Sequence, residues 1–182
     1  MGMAATIPHF TVDDLERFPN DGNRYELLDG VLLVTPAPGA IHELVASRLI
    51  SMLANAVQAP AHGFVFGHGA VTFPPRTQLE PDLLVVPARF PLSDRWQDMA
   101  DHWLAVEVFS RSSRFYDREY KRDAYLALGV REVWLVDRID RSVEVSRELG
   151  KSDIVRDAII WRVPTLELEV RVDLSEVFAG LE

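Results

Sequence analysis

The chain contains no cysteine. That absence excludes a disulfide scaffold, thiolate zinc sites and cysteine nucleophiles. Lysine is nearly absent as well: of 19 basic residues, only Lys121 and Lys151 are lysines and the rest are arginines. Basic charge is in deficit overall, with 28 acidic residues and a formal net charge of −9. A broad electrostatic grip on nucleic acid needs clustered Lys and Arg and is therefore excluded, although local contact through metal ions is not. No apolar run approaches the roughly 18 residues that span a bilayer. The segment from Met1 to Thr6 lacks the basic start and apolar stretch of a signal peptide. A cytoplasmic protein that does not engage membranes is expected. Apolar residues are plentiful, at 48% of 182 residues, enough at this length to bury a core within one domain over residues 1–182.

Turn and periodicity signals divide the chain into alternating elements. Thr11 caps a short helix to about Phe18, favoured by Asp13 and Asp14 at its positive end. Arg24 to Leu28 and Val31 to Thr35 flank Asp29-Gly30, a hairpin signal. Ala40 to Gln58 repeats apolar residues at helical spacing. Gly63 to Phe73 reads as one bent strand. Asp82 to Val86, Trp103 to Phe109 and Glu132 to Asp137 are short, nearly continuous apolar runs, the pattern of central strands covered on both faces. The segment from Tyr116 to Leu128, between the second and third of these, is a helix stopped at Gly129. Ser142 to Arg147 returns against the third strand. Short strands follow within Ile154 to Arg162 and Leu166 to Val172, then a helical turn over Leu174 to Phe178. The expected fold is α/β, with a mixed central β-sheet flanked by α-helices and additional β-hairpins.

Two carboxylates interrupt the apolar strands. Asp82 opens the first and Glu107 lies inside the second. A buried carboxylate is costly unless it is paired or bound to a metal. On a helical wheel stepped from Asp117, Arg118, Glu119, Arg122 and Asp123 form the charged face, while Tyr120, Ala124, Ala127 and Leu128 face inward with Tyr125 at the margin. Lys121 falls on the inward side, where an apolar residue is expected, and is the natural partner for Glu107. Two carboxylates and a lysine converging on one spot suit Mg²⁺, with Mn²⁺ as its usual substitute. Hard divalent cations take one or two carboxylates together with substrate phosphate. The ion polarises the phosphoryl oxygen and acidifies bound water, and a nearby lysine orients that water or offsets developing charge.

These residues resemble the PD-(D/E)XK nuclease superfamily, and the wider pattern is similar to its Uma-two family. The resemblance rests on Tyr25-Glu26-Leu27-Leu28-Asp29-Gly30, Pro36-Ala37-Pro38, His42, Pro81-Asp82, Glu107-Val108-Phe109-Ser110 with Ser112-Ser113, Asp117 with Lys121 and Tyr125, and Gly129 to Asp137. It covers about Thr11 to Glu148. It implies a restriction-endonuclease-like core and a Mg²⁺-dependent endonuclease acting on DNA. Asp82 and Glu107 would be metal ligands, with the Val108 backbone carbonyl a further one. The residue two after Glu107 is Phe109 rather than lysine, so Lys121 would supply the ammonium from the following helix.

Accessory roles suggest themselves for Glu26, which could aim at the same metal from the first hairpin, and for His42, at the start of its helix. Ser110, Ser112 and Arg114, just past Glu107, suit phosphate binding. The stretch from Arg111 to Arg131 carries six basic residues against three acidic ones. His62 and His68 show no chelating spacing and receive no role. Bland readings stand beside these: Asp82 as a turn aspartate, Glu107–Lys121 as a structural ion pair, Lys121 with its head in solvent, and the basic stretch as a solvated face. A non-catalytic binding module of the same fold is the main rival to the nuclease. A carboxylate-pair hydrolase acting on sugars gives Lys121 no task. A homodimer is the default assembly for a protein of this size.

Overall fold

The computed structural model describes residues 9–90, 93–110 and 113–181. The N-terminal stretch Met1 to Thr6, Arg111 and Ser112 lie outside them.

A short helix α1 (Val12–Leu15) precedes the hairpin β1 (Arg24–Leu28) and β2 (Val31–Thr35). Leu28 pairs with Val31, so Asp29 and Gly30 alone make the turn. Both have positive φ, 49° and 81°, the conformation a two-residue hairpin turn matching strand twist requires. A Cβ on Gly30 would also sit 3.0 Å from His9 Nδ1. Gly30→Ala is therefore expected to cost about 1–2 kcal/mol, read from the urea midpoint. An unchanged midpoint would show that the turn relaxes freely.

Helix α2 (Ala40–Leu53) continues into a π-helical turn, Ala54–Gln58. Its 19 residues have a mean hydropathy of 1.2, enough by length and composition to cross a membrane, although Glu43 and Arg48 keep it from being an unbroken apolar run. Val45, Ala46, Leu49, Leu53 and Val57 are instead buried against the sheet.

The central sheet has the order β10-β9-β8-β7-β6-β3, from β3 (Gly63–Gly67), β6 (Leu83–Pro87), β7 (Leu104–Val108), β8 (Val133–Asp137), β9 (Ser142–Glu148) and β10 (Lys151–Val155). Strands β7 and β8 run parallel and the other neighbours antiparallel. The sheet is mixed, as expected. The parallel pair demands a crossover, supplied by α3 (Arg114–Tyr116), a π-helical turn (Asp117–Lys121) and α4 (Arg122–Ala127). A second sheet, β2-β1-β5-β4, is completed by β4 (Val71–Phe73) and β5 (Thr77–Leu79). The single bent strand expected over Gly63 to Phe73 is thus two strands in different sheets. The chain turns between them at His68, whose φ is 61°. Strands β11 (Ala158–Arg162) and β12 (Glu169–Asp173) form a separate ladder before α5 (Leu174–Val177).

Alternation along the central strands divides the core. Leu83, Val85, Leu104, Val106 and Val108 face α2, β11, β12 and α5, where Trp134 and Trp161 meet edge to face with centroids 6.2 Å apart. Leu84, Val86, Ala105 and Phe109 face the other way, toward Tyr125 and the second sheet. With a period of two, Asp82 and Glu107 belong to this second face. They stand one step beyond the last paired residues of β6 and β7, Leu83 and Val106.

Candidate active site

Strand β6 begins at Leu83, immediately after Pro81-Asp82. The Val108 amide of β7 donates to Asp82 Oδ2 at 2.8 Å, so a side chain takes over where strand pairing ends. The same oxygen lies 3.0 Å from His42 Nε2, and Arg24 Nη1 donates to Oδ1 at 3.0 Å. Burial opposes ionisation of Asp82. The hydrogen bond and charge of His42, the charge of Arg24 and the Val108 amide outweigh it, holding the carboxyl at about 2. Asp82 in turn raises the His42 imidazole against the effect of burial.

Glu107 occupies the middle of the site. Its Oε1 accepts from Tyr125 Oη at 2.7 Å and from Lys121 Nζ at 3.2 Å. Lys121 Nζ also lies 2.7 Å from Glu26 Oε2 and 3.6 Å from Asp117 Oδ1. Glu26 is held from behind, its Oε1 accepting from the Glu80 amide at 2.7 Å. Burial drives the Glu107 carboxyl well above its ordinary value, opposed by Lys121 and reinforced by Asp117, Asp82 and Glu26. Burial likewise lifts Asp117 to about 6, with Lys121 opposing. Burial alone would lower Lys121, but Glu107, Glu26 and Asp117 outweigh it and raise it. The lysine therefore remains an ammonium.

The structure brings the sequence-expected residues Asp82, Glu107, Lys121, Glu26 and His42 into one cluster, and each is buried. Lys121 is 2% exposed, which excludes a head group in solvent. Ser110 lines the same cleft; its hydroxyl accepts from the Ser113 amide at 2.9 Å, closing the turn that starts α3. Glu26 meets the lysine directly, at ion-pair distance.

Several participants were not assigned from the sequence. Arg24 stands two residues before Glu26, on the same face of β1, a spacing that marks both as inward-facing. His68, given no role, contacts Arg24 Nη2 through Nδ1 at 2.9 Å and so braces the guanidinium beside Asp82. Asp117 is 1% exposed and neither oxygen makes a hydrogen bond among the described residues. The helical wheel also misplaces two tyrosines: Tyr120 is 48% exposed, whereas Tyr125 is fully buried. The π-helical turn Asp117–Lys121 inserts an extra residue, so a constant 100° step loses register there. Among the described residues, the basic stretch is not a free cationic surface either. Arg114 pairs with Asp137 and Asp140, Arg118 with Glu144, Arg122 with Asp123 and Arg131 with Asp101.

The donor set suits a hard divalent cation. Four buried carboxylates, from Glu26, Asp82, Glu107 and Asp117, face two permanent cations, Lys121 and Arg24. The formal surplus is two negative charges, or one with His42 protonated. Asp82, Glu107, Val108 and Asp117 line one cleft of about 90 Å³, and among the described residues the Asp117 oxygens have Lys121 as their ion-pair partner, 3.6 Å away. No ready-made group of three or more chelating side chains occurs among the described residues. Mg²⁺ ordinarily takes only one or two carboxylates and completes its shell with water and substrate phosphate, so the set fits that ion.

Comparisons with known proteins bear on the family and the fold. Residues 12–182 match the Uma2 family, described as "putative restriction endonuclease". The structure is similar to the crystal structure of a "putative nuclease belonging to DUF820" from Anabaena variabilis ATCC 29413. The two share 19% identity and a TM-score of 0.75 over 93% of this chain and 97% of the other. A comparison with curated proteins finds no match.

Proposed function

The chain belongs to the Uma2 family, and from that premise and the geometry above we propose that it is a divalent-metal-dependent endonuclease hydrolysing phosphodiester bonds in DNA. The observation that carries this reading is the single ammonium of Lys121 set 3.2 Å from Glu107 in a cleft that Asp82 also lines. Asp82, Glu107 and the Val108 carbonyl would hold Mg²⁺ or Mn²⁺. When bound, such an ion polarises the scissile phosphate and makes its water more acidic. Asp82 is ionised throughout the neutral range and supplies a fixed negative ligand. For Asp82 to hold an ion, Arg24 and His42, which now occupy its oxygens, would yield part of that hold and would be free to meet a phosphate. Lys121 stays protonated and so cannot remove a proton from water. It orients the attacking oxygen and offsets the negative charge that grows on the phosphate. Tyr125 and Glu26 fix Glu107 and Lys121 on either side, so the pair is oriented before substrate arrives.

The test is cleavage of plasmid DNA and of linear DNA, both single-stranded and duplex, with Mg²⁺ or Mn²⁺ by wild type, Asp82→Ala and Lys121→Ala. Wild-type activity is expected, and each variant should lose it. Equal cutting by all three would trace the activity to a contaminant. A second reading is a nuclease-fold module without catalysis that binds nucleic acid or protein. It is favoured by Asp82, whose two oxygens are already occupied by Arg24, His42 and Val108. Titration calorimetry with Mn²⁺ separates the two, because the module binds no ion at this site.

A further inference from the structure

Beside the cleft, the crossover helix exposes three aromatic rings in close contact. Phe115 is 63%, Tyr116 46% and Tyr120 48% exposed. Their centroids are 6.1 Å apart for Phe115 and Tyr116, 5.8 Å for Phe115 and Tyr120, and 5.6 Å for Tyr116 and Tyr120. The hydrophobic effect would bury such rings by default, and a cluster of exposed aromatics marks a contact surface. The cluster is continuous with the proposed site: Tyr116, Val34, Asp117, Lys121 and Glu26 line one hollow, and Asp117 and Lys121 also line the main cleft. The π-helical turn that carries Asp117 and Lys121 inward leaves the tyrosines at its edges outside.

We propose that Phe115, Tyr116 and Tyr120 form a stacking platform for unpaired bases, so that the strand entering the cleft is single-stranded DNA. This rests on the nuclease reading for the identity of the strand. Every nucleobase has a π-face, and aromatic platforms hold unpaired bases without reading sequence. In a duplex those faces are stacked on one another and cannot reach the rings. Among the described residues beside the platform, Arg114 and Arg118 are committed to Asp137, Asp140 and Glu144, and the chain carries nine net negative charges, so stacking is favoured over phosphate neutralisation. A second copy of the chain is the other class of occupant. Fully buried, three aromatic side chains would contribute only about 150–250 Å² each, short of the roughly 800 Å² per partner of a stable interface.

The experiment is fluorescence anisotropy with a labelled 20-nucleotide oligo-dT strand and a duplex of the same length, in EDTA so that no cutting occurs. The full chain should bind the single strand at least 10-fold more tightly than the duplex, with weak salt dependence. The double variant Tyr116→Ala/Tyr120→Ala should lose affinity by on the order of 10–100-fold, whereas Tyr116→Phe/Tyr120→Phe should keep it. Both pairs are exposed, and thermal melting checks that they fold. Equal binding of strand and duplex, no binding of either, or an alanine pair that binds like wild type would overturn the platform. So would sedimentation showing a wild-type dimer that the alanine pair dissociates, since the rings would then belong to a contact between copies. Oligo-dT binding by a wild type that cuts no DNA with Mn²⁺ would sink the nuclease reading and leave the platform. Cutting without oligo-dT binding would do the reverse.

Discussion

Lys121→Met is expected to destabilise the fold by about 3–5 kcal/mol at pH 7, the cost of leaving buried charges without their partner. Methionine keeps most of the aliphatic stem, so little of that loss comes from packing. The loss comes from Glu26, Glu107 and Asp117, which face Nζ at 2.7, 3.2 and 3.6 Å. Without the ammonium, the largest influence opposing burial at Glu107 and Asp117 is gone, and the upward displacement already present at both grows. A carboxyl raised in the folded state contributes stability that is full below its unfolded value, 4.5 for Glu107 and 3.8 for Asp117. That contribution is lost as pH rises through the folded value. The gap between variant and wild type must therefore narrow from pH 7 to pH 5. Asp82, held at about 2, stays ionised across that window and does not contribute to the change. Urea midpoints at the two pH values decide the matter. A gap below 1 kcal/mol, or one equal at both pH values, would mean that the lysine does not neutralise the cluster.

The central sheet was legible because its strands are covered on both faces. Leu83 to Val86, Leu104 to Val106 and Val133 to Val136 are almost wholly apolar, and against that background Asp82 and Glu107 stood out. The same contrast identified Lys121, one of only two lysines, on an inward face. What remained illegible had physical reasons. Strand β5 spans three residues between prolines, too few to show a period. The break at His68 depends on one residue with positive φ, where no proline marks the chain's change of sheet. The extra residue of the π-helical turn hid the burial of Tyr125 and the exposure of Tyr120. Asp117, one turn before Lys121, was legible in spacing, yet its meaning depended on a carboxylate from a different sheet. The arginines of the crossover looked like a cationic surface because their acidic partners, such as Glu144 and Asp137, lie far along the chain.

The surplus negative charge leads to an expectation of opposite sign for the lysine's partner. Glu107→Gln is expected to stabilise the fold by about 1 kcal/mol, as relief of a strained active-site group commonly does. The same change should reduce DNA cleavage by on the order of 10²-fold or more, the loss expected when one electrostatic contributor to the transition state is removed. Glutamine retains an oxygen that can accept from Tyr125 and Lys121, so both hydrogen bonds to this position survive. Lys121 keeps Glu26 and Asp117 as counter-charges. What disappears is one negative charge at the position where burial and three neighbouring acids oppose it most strongly. A carboxylate so disfavoured in the resting protein needs a use that offsets its cost, and under the proposed function a divalent cation would supply it. Calorimetry with Mn²⁺ should accordingly show binding to the wild type and none to the glutamine variant, alongside the higher melting temperature of the latter. A destabilised variant that still cuts DNA would show Glu107 to be a structural member of the cluster, with the metal held elsewhere.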